Sequence, residues 1–292
     1  MAIDQGAVRS EEVYAPEIKP HSIEKHDLIT RYANLFASVT RRSWHCRVYL
    51  DLFAGAGMAR VARTGQEVET SPLIALQCHP PFDRFIFCDA DPRCMDALQE
   101  RLRTRFPEIA PRVSYVLGDS NRAVPEILRV MPEYSRNHKV LTLCVVDPFC
   151  MRNLQFETIR RLNERYMDFL VLIPDSMDAG RGPNPEHYLR PDVTIVDSFL
   201  GDPDWRLRWA AWKKDRSPAY RTRHFGRFVA ERFSAAMSSL GHRNHLPADM
   251  KQIRQAGNRS PLYKLALFSK SDLAERLFKV AKAEPPELGL EY

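Results

Sequence analysis

Val48-Tyr49-Leu50-Asp51-Leu52-Phe53-Ala54-Gly55-Ala56-Gly57 runs from an apolar strand pattern through an acid into a Gly-x-Gly turn. Glycines there let the backbone approach a ligand closely, because a Cβ would intervene and some of the required φ values are positive. A dinucleotide site adds a third glycine and offers the next helix N-terminus to a pyrophosphate. In this chain the third position of that pattern is Arg60. An acid just before the turn also repels phosphate and suits a cationic amino acid ligand. An ordinary tight turn from strand to helix is the competing reading.

Outward from this stretch, apolar runs at 48–53, 85–88, 113–117, 141–146 and 169–173 alternate with helical patterns at 71–78, 92–106, 121–130 and 154–165. Continuous apolar strands separated by helices predict a parallel sheet buried on both faces. Two later runs, 250–254 and 262–269, flank a turn signal at 256–260 and read as a terminal antiparallel hairpin. The expected fold class is α/β: a doubly wound, Rossmann-like class I methyltransferase sheet with a C-terminal β-hairpin and a helical insertion.

The domain reading follows from where these periods start and stop. Residues 1–21 carry charges, Pro16 and Pro20 but no sustained apolar period, so they read as an arm outside the core. Ser22 is the expected N-cap of a helix whose Ile23, Leu28, Ile29, Tyr32, Leu35 and Phe36 recur at three- and four-residue intervals. The Rossmann-like domain is expected over 22–175 and 241–292. The insertion, 176–240, opens with a Gly/Pro-interrupted loop at 179–185 and continues as amphipathic helices.

Across all 292 residues, 44% are hydrophobic and 27% charged, which fits an ordinary globular chain and argues against disorder or a fibrous class. Neither a membrane-length apolar run nor a signal peptide is evident, so no membrane association and a cytoplasmic location are expected. The six cysteines form no CxxC pair and have no histidine partner at zinc-finger spacing, so reduced thiols and no metal site are expected.

Candidate site residues cluster where strands end. Asp89, followed by Ala90, closes the second strand, where a carboxylate can accept ribose hydroxyls. Asp91 competes for that role or caps the helix begun by Pro92. Gly118-Asp119-Ser120-Asn121 closes the third strand, and Asp119 reads either as an acceptor for an adenine amino group or as a helix cap. Together Asp51, Phe53, Ala54, Gly55, Gly57, Asp89, Ala90, Asp119 and Ser120 form the expected binding set for S-adenosylmethionine. Asp147-Pro148-Phe149 follows the fourth strand. There the acid can take the N–H of a planar amine while the ring stacks on its face. The triplet resembles the Asp-Pro-Pro-Tyr/Phe motif of amino-methyltransferases with one proline missing, which makes Asp147, Pro148 and Phe149 the expected catalytic residues. A structural turn at the strand end is the alternative.

The insertion concentrates charge. Between Arg206 and Arg232 nine Lys or Arg stand against Asp215 and Glu231, a local +7 beside +6 for the whole chain. Trp205, Trp209, Trp212, Tyr220, Phe225 and Phe228 are interleaved. Basic groups for phosphates and rings for base stacking fit nucleic acid. Helices with rings facing the core and arginines facing water have the same composition.

Taken in order, Lys25-His26, the 49–57 stretch, Ser71-Pro72-Leu73-Ile74-Ala75-Leu76, Gly118-Asp119-Ser120-Asn121, Asp147-Pro148-Phe149 and Leu262-Tyr263-Lys264-Leu265-Ala266-Leu267-Phe268-Ser269-Lys270 resemble the three-Cys-motif partner (TcmP) proteins. These are bacterial proteins with a methyltransferase-like fold, and the likeness spans roughly residues 22–270. Cys150 stands where the family pattern leads one to expect glycine. The resemblance implies a protein partner carrying three cysteines, similar to radical S-adenosylmethionine proteins. The function expected is methyl transfer to a nucleic acid base amine. The alternatives are a non-catalytic S-adenosylmethionine-binding scaffold for such a partner and a small-molecule methyltransferase. His26 is a possible proton acceptor, or simply a packed side chain.

Overall fold

The central strands are buried at every position, on both faces, and this sets the layers. The computed structural model describes residues 13–174, 186–214, 218–243, 246–255 and 259–283, with backbone alone at 218–223. The 179–185 loop, Asp215, the side chain of Tyr220 and much of the 256–260 turn lie outside the described residues.

In chain order the elements begin with β1 (Glu17–Ile18), α1 (Ser22–Thr40), β2 (Cys46–Asp51), β3 (Met58–Val61), β4 (Glu67–Glu69), α2 (Ser71–Leu76), β5 (Arg84–Asp89) and α3 (Pro92–Arg105). They continue with β6 (Val113–Leu117), α4 (Val124–Val130), β7 (Val140–Val146), α5 (Phe156–Leu162) and β8 (Met167–Ile173). After these come α6 (Glu186–Leu189), α7 (Ile195–Leu200), α8 (Trp205–Lys213) and α9 (Pro218–Ser239), then β9 (Lys251–Arg254), β10 (Pro261–Phe268) and α10 (Asp272–Lys282).

The main sheet has seven strands in the order β6-β5-β2-β7-β8-β10-β9. The first five run parallel, and β10 runs antiparallel to both β8 and β9. This is the doubly wound class I methyltransferase-type sheet, with its terminal antiparallel pair. Because successive strand residues face opposite sides, Val48 and Leu50 join one buried cluster while Tyr49 joins the other. The first cluster packs against α4, α5 and the helices of 186–240. The second packs against α1, α2, α3 and α10.

The charged insertion therefore supplies a wall of the core. Trp205, Trp209, Phe225 and Phe228 are buried, and Trp212 packs half-buried against them. The four buried rings are not accessible for base stacking, since they are buried and pack against one another, Trp212 and Tyr188. Among the described arginines of this segment, Arg206 pairs with Asp197 at 2.6 Å, Arg208 and Arg232 with Asp202 at 3.0 and 3.1 Å, and Arg227 with Glu231 at 2.8 Å. Composition alone did not separate this amphipathic arrangement from a nucleic-acid face.

Three further expectations are corrected. Ser22 is the first residue of α1 rather than its cap; His21 holds the cap position without a capping side-chain bond. The chain beyond Gly57 enters β3, not a helix, and forms a three-stranded sheet β1-β3-β4. Part of the arm belongs to that sheet: Glu17 and Ile18 pair with Arg60 and Val61. Arg101 on α3, itself buried, donates to the carbonyls of Val13 (3.0 Å), Tyr14 (2.8 Å) and Ala56 (2.8 Å), tying the arm to the glycine turn. The terminal helix α10 was also not expected. Ser271 caps it through Leu273 N–H, and Phe278 meets Tyr32 edge-on.

Candidate functional site at the carboxyl edge of the sheet

β2 lies between β5 and β7, so the residue at its carboxyl end is walled on both sides. Asp51 occupies that end and is fully buried. Its Oδ1 accepts the Phe53 N–H at 3.1 Å, and Oδ2 has no partner with hydrogen-bond geometry, though the Ser71 side chain stands close to the carboxyl. Burial pushes the carboxyl up to about 7; the neighbouring Ser71 side chain and the Phe53 amide pull the other way, and Asp147 and Asp89 add to the rise. A buried carboxyl oxygen without a donor is costly unless a ligand completes it.

The turn after Asp51 uses its two glycines differently. Gly55 has φ +62° and open space where a Cβ would stand, whereas at Gly57 (φ +80°) a Cβ would lie 2.8 Å from Leu98 Cδ1 and 3.1 Å from Leu73 Cγ. Gly57→Ala is therefore expected to destabilise the fold by about 2–4 kcal/mol, combining overpacking with left-handed strain. Gly55→Ala should cost only about 1 kcal/mol but place a methyl group in the cleft. Urea unfolding of both variants checks the ranking, which fails if Gly55→Ala is the more destabilised.

Asp89 shapes this turn. Its Oδ2 accepts the Gly55 N–H at 2.7 Å and its Oδ1 accepts the Asp91 N–H at 2.9 Å. Carboxylate oxygens carry about two lone-pair sites each, so both retain acceptor capacity towards the cleft. Asp91 accepts the Arg93 N–H as the N-cap of α3, with Pro92 in the first turn. Ala90 is exposed beside it, and Ala54 is buried with its N–H on Cys88 O at 2.9 Å.

A cleft of about 460 Å³, within the range of small-molecule sites, gathers Phe53, Gly55, Asp89, Asp147, Pro148 and Phe149 from the expected set. Asp51, Ala54, Gly57, Ala90, Asp119 and Ser120 are not on its lining, and Asp51 is buried beneath the strand end rather than open to the cleft. Asp119 is exposed and accepts the backbone N–H groups of Asn121 (2.9 Å) and Arg122 (3.3 Å); Ser120 is buried with an unpartnered hydroxyl. Phe149 stands 85% exposed at the cleft, its ring accessible from solvent.

The opposite wall was missed in the sequence. Glu17, Ile18, Lys19, His21 and Ser22 line it, joined by Lys25 and Tyr263. No periodicity marks these positions, because they belong to the fastened arm, the start of α1 and β10. Lys25 is buried and its Nζ donates to Asp147 Oδ2. Asp147 is thus held in an ion pair instead of standing alone for an incoming amine. His26 is buried with Nδ1 unpartnered, and burial, reinforced by the Lys25 charge, lowers it to about 3. It is neutral near neutral pH and lies outside the cleft lining. No helix of the described residues is long and apolar enough to cross a membrane.

No family model matches the chain, and no curated protein does either. Among solved structures, it is similar to the methyltransferase domain of bacterial CtHen1-C, at 12% identity over 83% of this chain and 98% of that one, TM-score 0.39. Cofactor-bound Rv0187 from MTB matches at 12% identity over 83% and 80%, TM-score 0.42. A putative methyltransferase, yhhF from Escherichia coli, matches at 19% identity over 49% and 66%, TM-score 0.32. Likenesses this distant do not bear on activity.

Proposed function

We propose that the carboxyl-edge cleft holds S-adenosylmethionine and that the protein transfers its methyl group to a planar acceptor. The observation that carries this reading is the buried, unpartnered Asp51 Oδ2 at the end of the strand that runs into the turn whose Gly55 lines the cleft. The residues present fit the cofactor. Asp51 would take its ammonium group as a charge-assisted hydrogen bond. The free lone pairs of Asp89 would take its ribose hydroxyls, and Gly55 admits its close approach. When bound, S-adenosylmethionine supplies a methyl group on a cationic sulfur, already activated for in-line transfer.

The chain's own part is mainly orientation, which can carry much of the barrier reduction. Asp147, Phe149, Lys25 and Tyr263 all line the cleft, with Lys25 and Asp147 in contact. Phe149 would stack on the acceptor ring, and the Lys25–Asp147 pair would fix its polar edge. A nucleic acid base amine is the acceptor class this arrangement addresses first. A duplex substrate would have to flip that base out of the stack.

The test is transfer of radiolabelled methyl from S-adenosylmethionine to single-stranded DNA, duplex DNA, RNA and a small-molecule extract. The expected result is label on a nucleic acid, falling steeply as salt rises, and absent with Asp51→Ala. Label only in the salt-insensitive small-molecule fraction would replace the nucleic acid reading. Tight cofactor binding with no transfer to any class would favour the scaffold role that the three-Cys-motif partner resemblance implies.

A further inference from the structure

A second cavity, of about 210 Å³, opens at the opposite edge of the sheet, where β7 and β8 begin. Most of its lining is apolar: Phe36, Val39, Trp44, Leu141, Tyr166 and Leu277. Polar groups interrupt it, Thr40, Ser43, Ser269, Lys270 and Ser271 among them, and with them Tyr32 and Asp168. Tyr32 is fully buried, and its hydroxyl has no hydrogen-bond partner. Asp168, 7% exposed, lies in no ion pair among the described residues. Burial raises its carboxyl to about 6, with the Ser269 side chain and the Lys270 charge lowering it, so it is largely ionised at neutral pH. Trp44 and Tyr166 stand 5.9 Å apart, and Tyr134 lies 4.7 Å from Tyr166.

We propose that this cavity is a second ligand site, for a small organic amine whose ammonium meets Asp168 and the Tyr32 hydroxyl while its apolar body packs among the aromatic and aliphatic lining. An ammonium group donates and does not accept, which suits a carboxylate and a hydroxyl oxygen. It also supplies the counter-charge a buried carboxylate needs. Trp44 and Tyr166 line the cavity, and aromatic rings of this kind attract cations. The volume falls below the ~300 Å³ at which drug-sized sites begin, so a single ring with one amine is the matching size. Lys270 lines the same cavity and competes for Asp168. The site does not depend on the methyl-transfer reading.

Benzylamine is the probe, compared with benzyl alcohol and benzoate by thermal shift and calorimetry. Benzylamine is expected to bind in the millimolar range or tighter and raise the melting temperature, with benzyl alcohol and benzoate at least tenfold weaker. Asp168→Asn should abolish the shift, Tyr32→Phe should weaken binding several-fold, and Lys270→Ala should tighten it. Far-UV circular dichroism and urea unfolding of each variant serve as a check of the fold. Should Asp168→Asn fail to fold, the opposite effects of Tyr32→Phe and Lys270→Ala still decide. Equal binding of amine and alcohol, preference for benzoate, or weaker amine binding in Lys270→Ala would overturn the proposal.

Discussion

Asp51→Asn is expected to weaken S-adenosylhomocysteine binding by roughly 30-fold or more, since loss of a buried charge-paired hydrogen bond costs about 2–5 kcal/mol and each 1.4 kcal/mol is tenfold. The buried carboxyl titrates near 7 in the free protein, mainly through desolvation. A ligand ammonium selects the ionised form, so affinity should rise as pH climbs from about 5 to 7. It should fall again as the ligand amine, ordinarily near 7.7–8.0, loses its proton. At pH 6 binding should release close to one proton, read as a dependence of calorimetric heat on the buffer; at pH 8 Asp51 should release almost none.

Stability moves the other way. In the unfolded chain the group ionises near 3.8, and in the fold near 7. Between those values the unfolded state binds fewer protons, so the Asp51 contribution to stability declines as pH rises, by up to a few kcal/mol. Asp51→Asn should flatten that decline and leave the free protein more stable at pH 8. A mutant that bound as tightly as the parent, or a parent whose affinity ignored pH, would remove Asp51 from the site.

The ion pair between Lys25 and Asp147 should dominate the second set of effects. With side chains 11% and 17% exposed, neither partner is well solvated. Lys25→Met is expected to destabilise by about 2–4 kcal/mol, leaving a poorly hydrated carboxylate, and Asp147→Leu by a similar amount. The double variant should lose much less than the sum, because no unpaired charge remains. Thermal unfolding reads this as roughly 2–4 °C for each kcal/mol in a chain of this size; additive losses would show that the pair is not coupled. For activity, Asp147→Ala should abolish methyl transfer while S-adenosylhomocysteine affinity stays within a few-fold. Loss of both together would contradict the division between cofactor and acceptor residues.

The sheet was legible because burial on both faces imposes a signal that composition cannot hide. The run 169–173 has no polar residue and 141–146 only Thr142, and the structure extends each backwards, to Val140–Val146 and Met167–Ile173. Asp51 and Asp89 were legible for a related reason: an acid ending an apolar run is out of place unless something at the strand end uses it. What stayed hidden depends on contacts distant in sequence. β1 spans two residues and is defined by its pairing with β3. Lys25 looks like one more charge at a helix start until Asp147, far along the chain, is seen to receive it. The insertion was ambiguous because an aromatic ring for a base and one for a core are the same residue, and packing alone separates them. α10 did carry readable signs: the Ser271 cap, acids in its first turn and lysines in its last.

The account rests on Asp51 awaiting a cationic partner, and calorimetric titration of the intact protein with S-adenosylmethionine and S-adenosylhomocysteine tests that most directly. Micromolar binding, with proton release at pH 6 that vanishes in Asp51→Asn, is the result predicted. Folded protein that binds neither compound would contradict it.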